Sequence, residues 1–165
     1  MLEGMSDARA RGPSRLSDLV VEREAWRAAS RRVVLTNGCF DLLHPGHLAL
    51  LDAARREGDV LVVALNSDAS VHRLKGESRP LVPEAERAEV LLALEVVDRV
   101  VLYDEPTPIA VVRALLPDVL VKGADWAADA IVGGPEVEAS GGRVVRVDLV
   151  PGRSTSAIVD RIRRP

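Results

Sequence analysis

The feature that most constrains this 165-residue chain is a rhythm of short, largely apolar runs separated by segments of helix length. The runs at 33–35, 60–65, 98–102, 119–121 and 143–149 are too brief for amphipathic helices, and most lack the polar alternation of a strand with one wet face. Strands of that kind are buried on both sides, as in a parallel sheet covered by helices. The intervening segments at 46–57, 83–97, 107–116, 135–140 and 154–163 read as those helices. Pro83 sits near the start of its helix, with Val90, Leu91, Leu94 and Val97 assigned to one face. Pro117 stops the next helix and Gly141-Gly142 the one after. The expected fold is therefore α/β, a doubly wound five-stranded parallel sheet. Ligands of such sheets bind beyond the carboxyl ends of the strands, at the point where strand order reverses. That directs attention to the loops after Leu35, Leu65, Leu102, Val121 and Leu149.

Ahead of the first strand, residues 1–15 show no periodicity and read as a disordered leader. Residues 16–30 carry Leu16, Leu19, Val20, Arg23 and Trp26 at helical spacing, which predicts an N-terminal helical extension to a domain spanning 31–165. Aromatic residues make up only 2% of the chain, so its core must be built from Val, Leu, Ile and Ala. The formal net charge of −3 gives no general attraction to nucleic acid or to an anionic membrane. No apolar stretch approaches the ~18 residues that span a bilayer. Cys39 is the single cysteine, which excludes an internal disulfide and suits a reducing compartment. The expectation is a soluble cytoplasmic protein with neither nucleic acid nor membrane as partner.

The segment Thr36-Asn37-Gly38-Cys39-Phe40-Asp41-Leu42-Leu43-His44-Pro45-Gly46-His47 follows the first strand and opens the first helix. Two of the three histidines of the chain stand in it, three residues apart. Pro45 and Gly46 suit a helix start, where backbone N–H groups are unpaired, and imidazoles beside such a start make an anion site. On residue types alone a phosphate site and a structural role remain open at similar weight. A zinc site lacks a third ligand at recognisable spacing, and Cys39 has no thiol-enzyme signature around it. The Gly-x-Gly-x-x-Gly fingerprint of dinucleotide-binding domains is missing, which opposes a plain NAD-binding module. Near the end of the chain, Gly152-Arg153-Ser154-Thr155-Ser156 precedes the last helix. Taken alone it is a common N-cap, but its hydroxyls and amides also suit phosphate oxygens.

Together these segments carry a resemblance. Gly38-x-Phe40-Asp41 followed by His44-Pro45-Gly46-His47 is similar to the signature of the cytidylyltransferase-like nucleotidyltransferases, whose C-terminal Gly-x-Ser-Thr-Thr/Ser element is matched by residues 152–156. More narrowly, Asn66-Ser67-Asp68-Ala69-Ser70-Val71, Leu74-Lys75-Gly76, Arg79-Pro80, Glu86-Arg87-Ala88, residues 121–126 and Gly141-Gly142 resemble the heptose 1-phosphate adenylyltransferases. The likeness runs from about residue 32 to residue 162. Gly123-Ala124-Asp125 departs from the Gly-Gly-Asp of many members. Leu149 and Val150 replace the Arg-Thr pair of the glycerol-phosphate branch, while Arg153 stands inside the motif.

The resemblance implies in-line attack of a sugar phosphate oxygen on the α-phosphorus of ATP, with pyrophosphate leaving and Mg2+ accompanying the nucleotide as MgATP. It implies that His44 and His47 hold the α- and β-phosphates. Lys75, on a flexible loop after the second strand, would clamp both reactants, and Arg87 would reach the substrate phosphate. Thr36, Asn37, Gly38, Cys39, Phe40 and Gly46 would line the nucleotide. Lys122, Gly123, Asp125 and Trp126 would meet ribose and base, and Arg153, Ser154, Thr155 and Ser156 the outer phosphates. No metal-ligating residue is assigned, and a homodimer is expected. The alternatives are a cytidylyltransferase, an adenylyltransferase acting on glycerol, flavin or pantetheine phosphate, and a catalytically silent nucleotide sensor.

Overall fold

The computed structural model describes residues 12–124, 130–148 and 150–164. Its centre is a five-stranded, all-parallel sheet of β1 (Val33–Gly38), β2 (Val60–Asn66), β3 (Arg99–Tyr103), β4 (Val119–Gly123) and β5 (Arg143–Val147), in the order β3-β2-β1-β4-β5. Strand order reverses between β1 and β4, which opens a crevice at their carboxyl ends. The helices are α1 (Leu16–Ala28), α2 (Pro45–Arg55), α3 (Asp68–Lys75), α4 (Glu84–Ala93), α5 (Ile109–Leu115), α6 (Gly134–Ala139) and α7 (Thr155–Arg163).

Strand alternation sends side chains into two cores, one on each face. Val33 and Leu35 of β1 join Leu19 and Trp26 of α1, Val112 of α5 and Val137 of α6 on one side. Val34 joins Leu51 and Ala54 of α2 and Leu91 of α4 on the other. Every residue of β2 is buried, as its uninterrupted apolar run requires.

The N-terminal helix forms where its periodicity places it and is an integral part of the first core, since Leu19, Arg23 and Trp26 are all buried. Arg23 is accommodated because its Nε and Nη2 donate to the carbonyls of Leu115 and Leu116 at 3.1 Å, and its Nη2 pairs with Asp118 at 3.1 Å. A guanidinium thereby satisfies the carbonyls that end α5.

Two expectations are corrected. The helix expected over 83–97 is shorter, ending when Leu94 turns extended at ψ 131°. Its buried face is Arg87, Ala88, Leu91 and Leu92, while Val90 is exposed. Where sequence reasoning expects a flexible loop carrying Lys75, the chain forms α3, and Lys75 is its last residue. Ser67 caps that helix by accepting from the Ser70 amide at 3.0 Å, Asp68 complements its start, and Val71 anchors it. Gly76, at φ 91°, ends it with a conformation that other residues rarely adopt.

Candidate active site

The loop from β1 to α2 is shaped by its own side chains before any ligand is considered. His44 occupies the N-cap of α2, and its Nδ1 accepts from the Gly46 amide at 3.1 Å. In the neutral ring that bond leaves the proton on Nε2, a donor facing away from the helix. The His47 ring stacks on it with centroids 3.9 Å apart and planes at 26°, and Phe40 braces His47 at 5.1 Å. Gly46 has no room for a side chain, because an added Cβ would lie 2.9 Å from the His44 ring and 3.4 Å from Arg153 Cβ. Gly46→Ala is thus expected to displace the His44 ring while α2 stays helical, observable as an altered His44 resonance in NMR.

Both imidazoles are held neutral. Burial, then the positive charges of His44 and Lys75, push the His47 pKa down to about 4, and burial with Arg153 nearby lowers that of His44. The buried Nδ1 of His47 has no hydrogen-bond partner among the described residues, so the ring offers an unsatisfied polar atom at the helix start. Because the unfolded chain binds this proton near pH 6.5 and the folded one near 4, stability rises with pH through that window and falls as pH drops across it. An NMR titration should find the His47 midpoint near 4, and a midpoint near the unperturbed value would contradict this packing.

Asp41 fastens the next loop. Burial raises its carboxyl pKa, but the Leu81 and Val82 amides and the Arg79 guanidinium outweigh that and hold it below the usual carboxylate range. The amide bonds measure 2.9–3.0 Å and the Arg79 pair 3.0 Å. With a lowered folded pKa, this contribution is complete above the unfolded carboxylate pKa of ~3.9 and is lost as pH falls through the folded value. Asp41→Asn should therefore lower the melting temperature at neutral pH and reduce its dependence on pH in the acid range.

Across the crevice, Lys122 Nζ at the end of β4 donates to Asn37 Oδ1 at 2.7 Å, and Asn37 Nδ2 donates to the Tyr103 hydroxyl at 3.2 Å. That chain bridges the carboxyl ends of β4, β1 and β3. It divides a cavity of about 410 Å3, bordered by Asn66, Lys75, Tyr103 and Thr107, from one of about 160 Å3, bordered by Phe40, His47, Leu50 and Gly123. Asn37, Gly38, Cys39 and Lys122 line both. Burial raises the Cys39 thiol pKa despite Lys75 and Arg87 nearby, so the sulfur stays protonated and poorly nucleophilic.

The last helix closes the third side. Ser154 caps α7 by accepting from the Ala157 amide at 3.0 Å, and Thr155 Oγ1 donates to Leu42 O at 3.3 Å. Arg153 and Ser154 face His44 across a cavity of about 200 Å3. Thr155, Ser156 and Arg163 of α7 face Lys75 and Arg79 across one of about 440 Å3. Lys75 thus borders both this groove and the larger crevice cavity.

Most of the expected site residues are brought together: Asn37, Gly38, Cys39, Phe40, His47, Lys75, Lys122 and Gly123 line the two crevice cavities, Thr155 and Ser156 share the adjoining groove with Lys75, and His44, bonded to Gly46 and stacked on His47, borders a separate cavity with Arg153 and Ser154. Two are not. Thr36 is fully buried within β1, below the crevice floor. Arg87, expected at the substrate phosphate, is 2% exposed and points inward. It donates to the carbonyls of Cys39, Asn66 and Val82 at 2.6, 2.9 and 2.9 Å and pairs with Asp68 at 2.7 Å. Its task is to lock the loops that carry the site. Asp125 and Trp126 lie outside the described residues. Tyr103 and Asn66 were missed, although they end β3 and β2, where the parallel sheet already points to ligand-facing positions.

Among the described residues no group of three or more His, Cys, Asp and Glu side chains is placed to hold a metal ion, and the Asp41 carboxylate is engaged by Arg79, Leu81 and Val82.

A parallel doubly wound sheet carries paired imidazoles at its switch point, faced by a second helix start, and its family and relatives make the chain a nucleotidyltransferase. The chain belongs to the cytidylyltransferase-like family, whose model matches residues 35–158. It is 60% identical over 139 residues to the bifunctional protein HldE of Azorhizobium caulinodans, covering 84% of this chain and 29% of that protein. To the HldE of Gluconobacter oxydans it is 54% identical over 159 residues, covering 96% and 33%. The chain thus spans about a third of the length of these relatives. A lipopolysaccharide core biosynthesis protein from Thermoplasma volcanium superposes with TM-score 0.60 at 31% identity, over 73% of this chain and 97% of that one. Pantoate-beta-alanine ligase from Francisella tularensis shares the fold, with TM-score 0.60 at 12% identity, covering 89% of this chain and 69% of that one. No described helix is long and apolar enough to cross a membrane.

Proposed function

We propose that this nucleotidyltransferase transfers AMP from ATP to a heptose 1-phosphate, giving ADP-heptose and pyrophosphate. The observation that carries the reading is the stacked His44–His47 pair, neutral and with an unsatisfied buried nitrogen, at the switch point of the sheet. The choice of adenylyl transfer and heptose rests on the sequence resemblance along the whole folded region.

In the proposed reaction a phosphate oxygen of the sugar attacks the α-phosphorus. The new O–P bond forms as the bond to the bridging oxygen breaks, and the electron pair leaves with pyrophosphate. The attacking group is already an anion at neutral pH, so no residue need remove a proton. The protein acts by positioning and by meeting developing charge. His44 donates from Nε2, and His47 lies against it with Nδ1 buried, so that its Nε2 is the ring nitrogen left to meet a phosphate oxygen. Lys75 and Lys122 bring positive charge from either side, and Arg153 with residues 154–156 holds the outer phosphates at the start of α7. The 410 Å3 cavity takes the acceptor: its lining is largely apolar, with Leu74, Pro106, Pro108 and Val132, and Asn37, Asn66, Tyr103 and Thr107 are the side chains that meet the sugar hydroxyls. The divalent ion, as MgATP, supplies charge neutralisation on the triphosphate. We propose further that the enzyme works in the cytoplasm as a homodimer, which sedimentation at working concentration checks.

The test is pyrophosphate release with ATP or CTP against heptose 1-phosphate, glycerol 3-phosphate, flavin mononucleotide and phosphopantetheine. Turnover confined to ATP with heptose 1-phosphate supports the proposal. Turnover with CTP or with another acceptor reassigns the substrate. Nucleotide binding without turnover in any pairing would make the chain a sensor.

A further inference from the structure

The amino-terminal edge of the sheet, opposite the crevice, holds a cavity of about 610 Å3. Among the described residues Arg23, Arg27, Arg31, Arg32 and Arg143 line it together with only two carboxylates, Asp59 and Asp118, in a chain whose formal net charge is −3. Both carboxylates are already engaged. Asp118 accepts from the Val33 amide at 2.7 Å and from Arg23 at 3.1 Å, and Asp59 accepts from the Arg32 amide at 2.7 Å.

Three of the arginines have evident structural work. Arg23 satisfies the end of α5, Arg27 pairs with Glu24 at 2.7 Å, and Arg143 pairs with Glu57 at 2.5 Å. Arg31 makes one bond, from Nη2 to the Asp59 carbonyl at 3.3 Å. The Arg32 guanidinium has no hydrogen bond or ion pair among the described residues. Charge compensation at helix carboxyl ends accounts for Arg27, in the last turn of α1, but not for Arg32, which stands at the entry to β1. Arg31 and Arg32 thus carry guanidinium donors that no described residue takes up, at the border of a concave, cationic space of a size that holds a small ligand.

We propose that this cavity is a second anion site, taking a small phosphate-bearing anion of about the size of pyrophosphate on Arg31 and Arg32. Planar guanidinium forks match phosphate oxygens two at a time. Among the described residues the lining includes no aromatic side chain and only Val119 as a large apolar one, so the ligand is held by its phosphates and not by a nucleobase. The site lies where β1, β2, β4 and β5 begin, so an occupant ties those strand ends together and stabilises the fold by an amount that grows with the logarithm of its concentration once that exceeds Kd.

Calorimetric titration of inorganic pyrophosphate at low ionic strength tests this with three proteins: the unaltered chain, Arg31→Glu/Arg32→Glu, and His44→Ala/His47→Ala. The histidine variant should retain a binding event, and the arginine variant should lose it, its Kd weakening about tenfold or more. Nucleotide binding at the crevice should be unchanged in the arginine variant. Hydrogen exchange on the unaltered chain gives an independent reading, with pyrophosphate protecting amides at 30–33 and 141–143. The proposal is overturned if the arginine variant binds as the unaltered chain does, or if loss of the two histidines abolishes all binding. Equal uptake of sulfate at the same affinity would also overturn it, by reducing the site to general counter-ion attraction.

Discussion

His44→Ala and His47→Ala should each reduce nucleotidyl transfer by about a hundredfold or more while leaving the fold intact, the loss expected when a positioned donor to a transition-state oxyanion is removed. The tertiary structure explains why the fold survives. His44 contributes only a cap bond to α2, whose anchors Leu51 and Ala54 are untouched, and the His47 ring is half-buried with an unsatisfied nitrogen. The His44 variant loses its N-cap acceptor, so a fall in stability of about 1 kcal/mol is expected there. Removing the His47 ring relieves a buried polar atom and should cost less. The two rings form one stacked unit, so the double variant should be little worse than either single one. Steady-state rates beside thermal melts check all three points. A variant that melts normally and turns over at the original rate would remove the histidines from the mechanism.

Arg87→Met should be the most destabilising single change in the site region, at about 3 kcal/mol or more. The guanidinium side chain is completely enclosed and reaches three backbone carbonyls and one carboxylate. Methionine fills much of the volume but leaves the carbonyls of Cys39, Asn66 and Val82 without this donor. Asp68 is partly exposed and can return to water, so the carbonyls carry most of the cost. Arg87→Lys should recover little, since one ammonium lacks the fork that reaches several acceptors. Denaturant melts measure the loss. Because the bonded carbonyls belong to the segments holding Cys39 and Asn66, activity should fall ahead of global unfolding as temperature rises. A variant as stable as the unaltered chain would show that water replaces the guanidinium.

How much of this was legible in the sequence varied by element. The five strands were, because a run such as 60–65 is apolar throughout and only burial on both faces accommodates that. Their carboxyl ends were harder to read. β1 continues through Thr36-Asn37-Gly38 and β4 through Lys122-Gly123, whose polar side chains break the apolar pattern where the sheet meets the crevice. Helix α3 was missed because its sequence is polar and Val71 is its one buried large apolar residue, so its stability comes from a cap and its contact with β2 and not from an apolar stripe. The histidine pair and the Ser154 cap were legible, since both combine a local motif with a helix start. The Tyr103–Asn37–Lys122 chain was not, because its members lie 66 and 85 residues apart.

The sequence by itself determined the parallel α/β architecture, the strand count and the two helix starts suited to phosphate. These follow from periodicity and capping, which act over a few residues and therefore leave a local trace. Only the tertiary structure decided what the long polar side chains do. Arg23 stands in the periodic stripe of α1 and Arg79 and Arg87 in motif segments, but nothing local says what they bond: one ends α5, one fastens a loop to Asp41 and one locks the crevice walls from within. A guanidinium carries no preference for interior or exterior until backbone carbonyls from distant segments converge on it, and that convergence exists only once the sheet has formed.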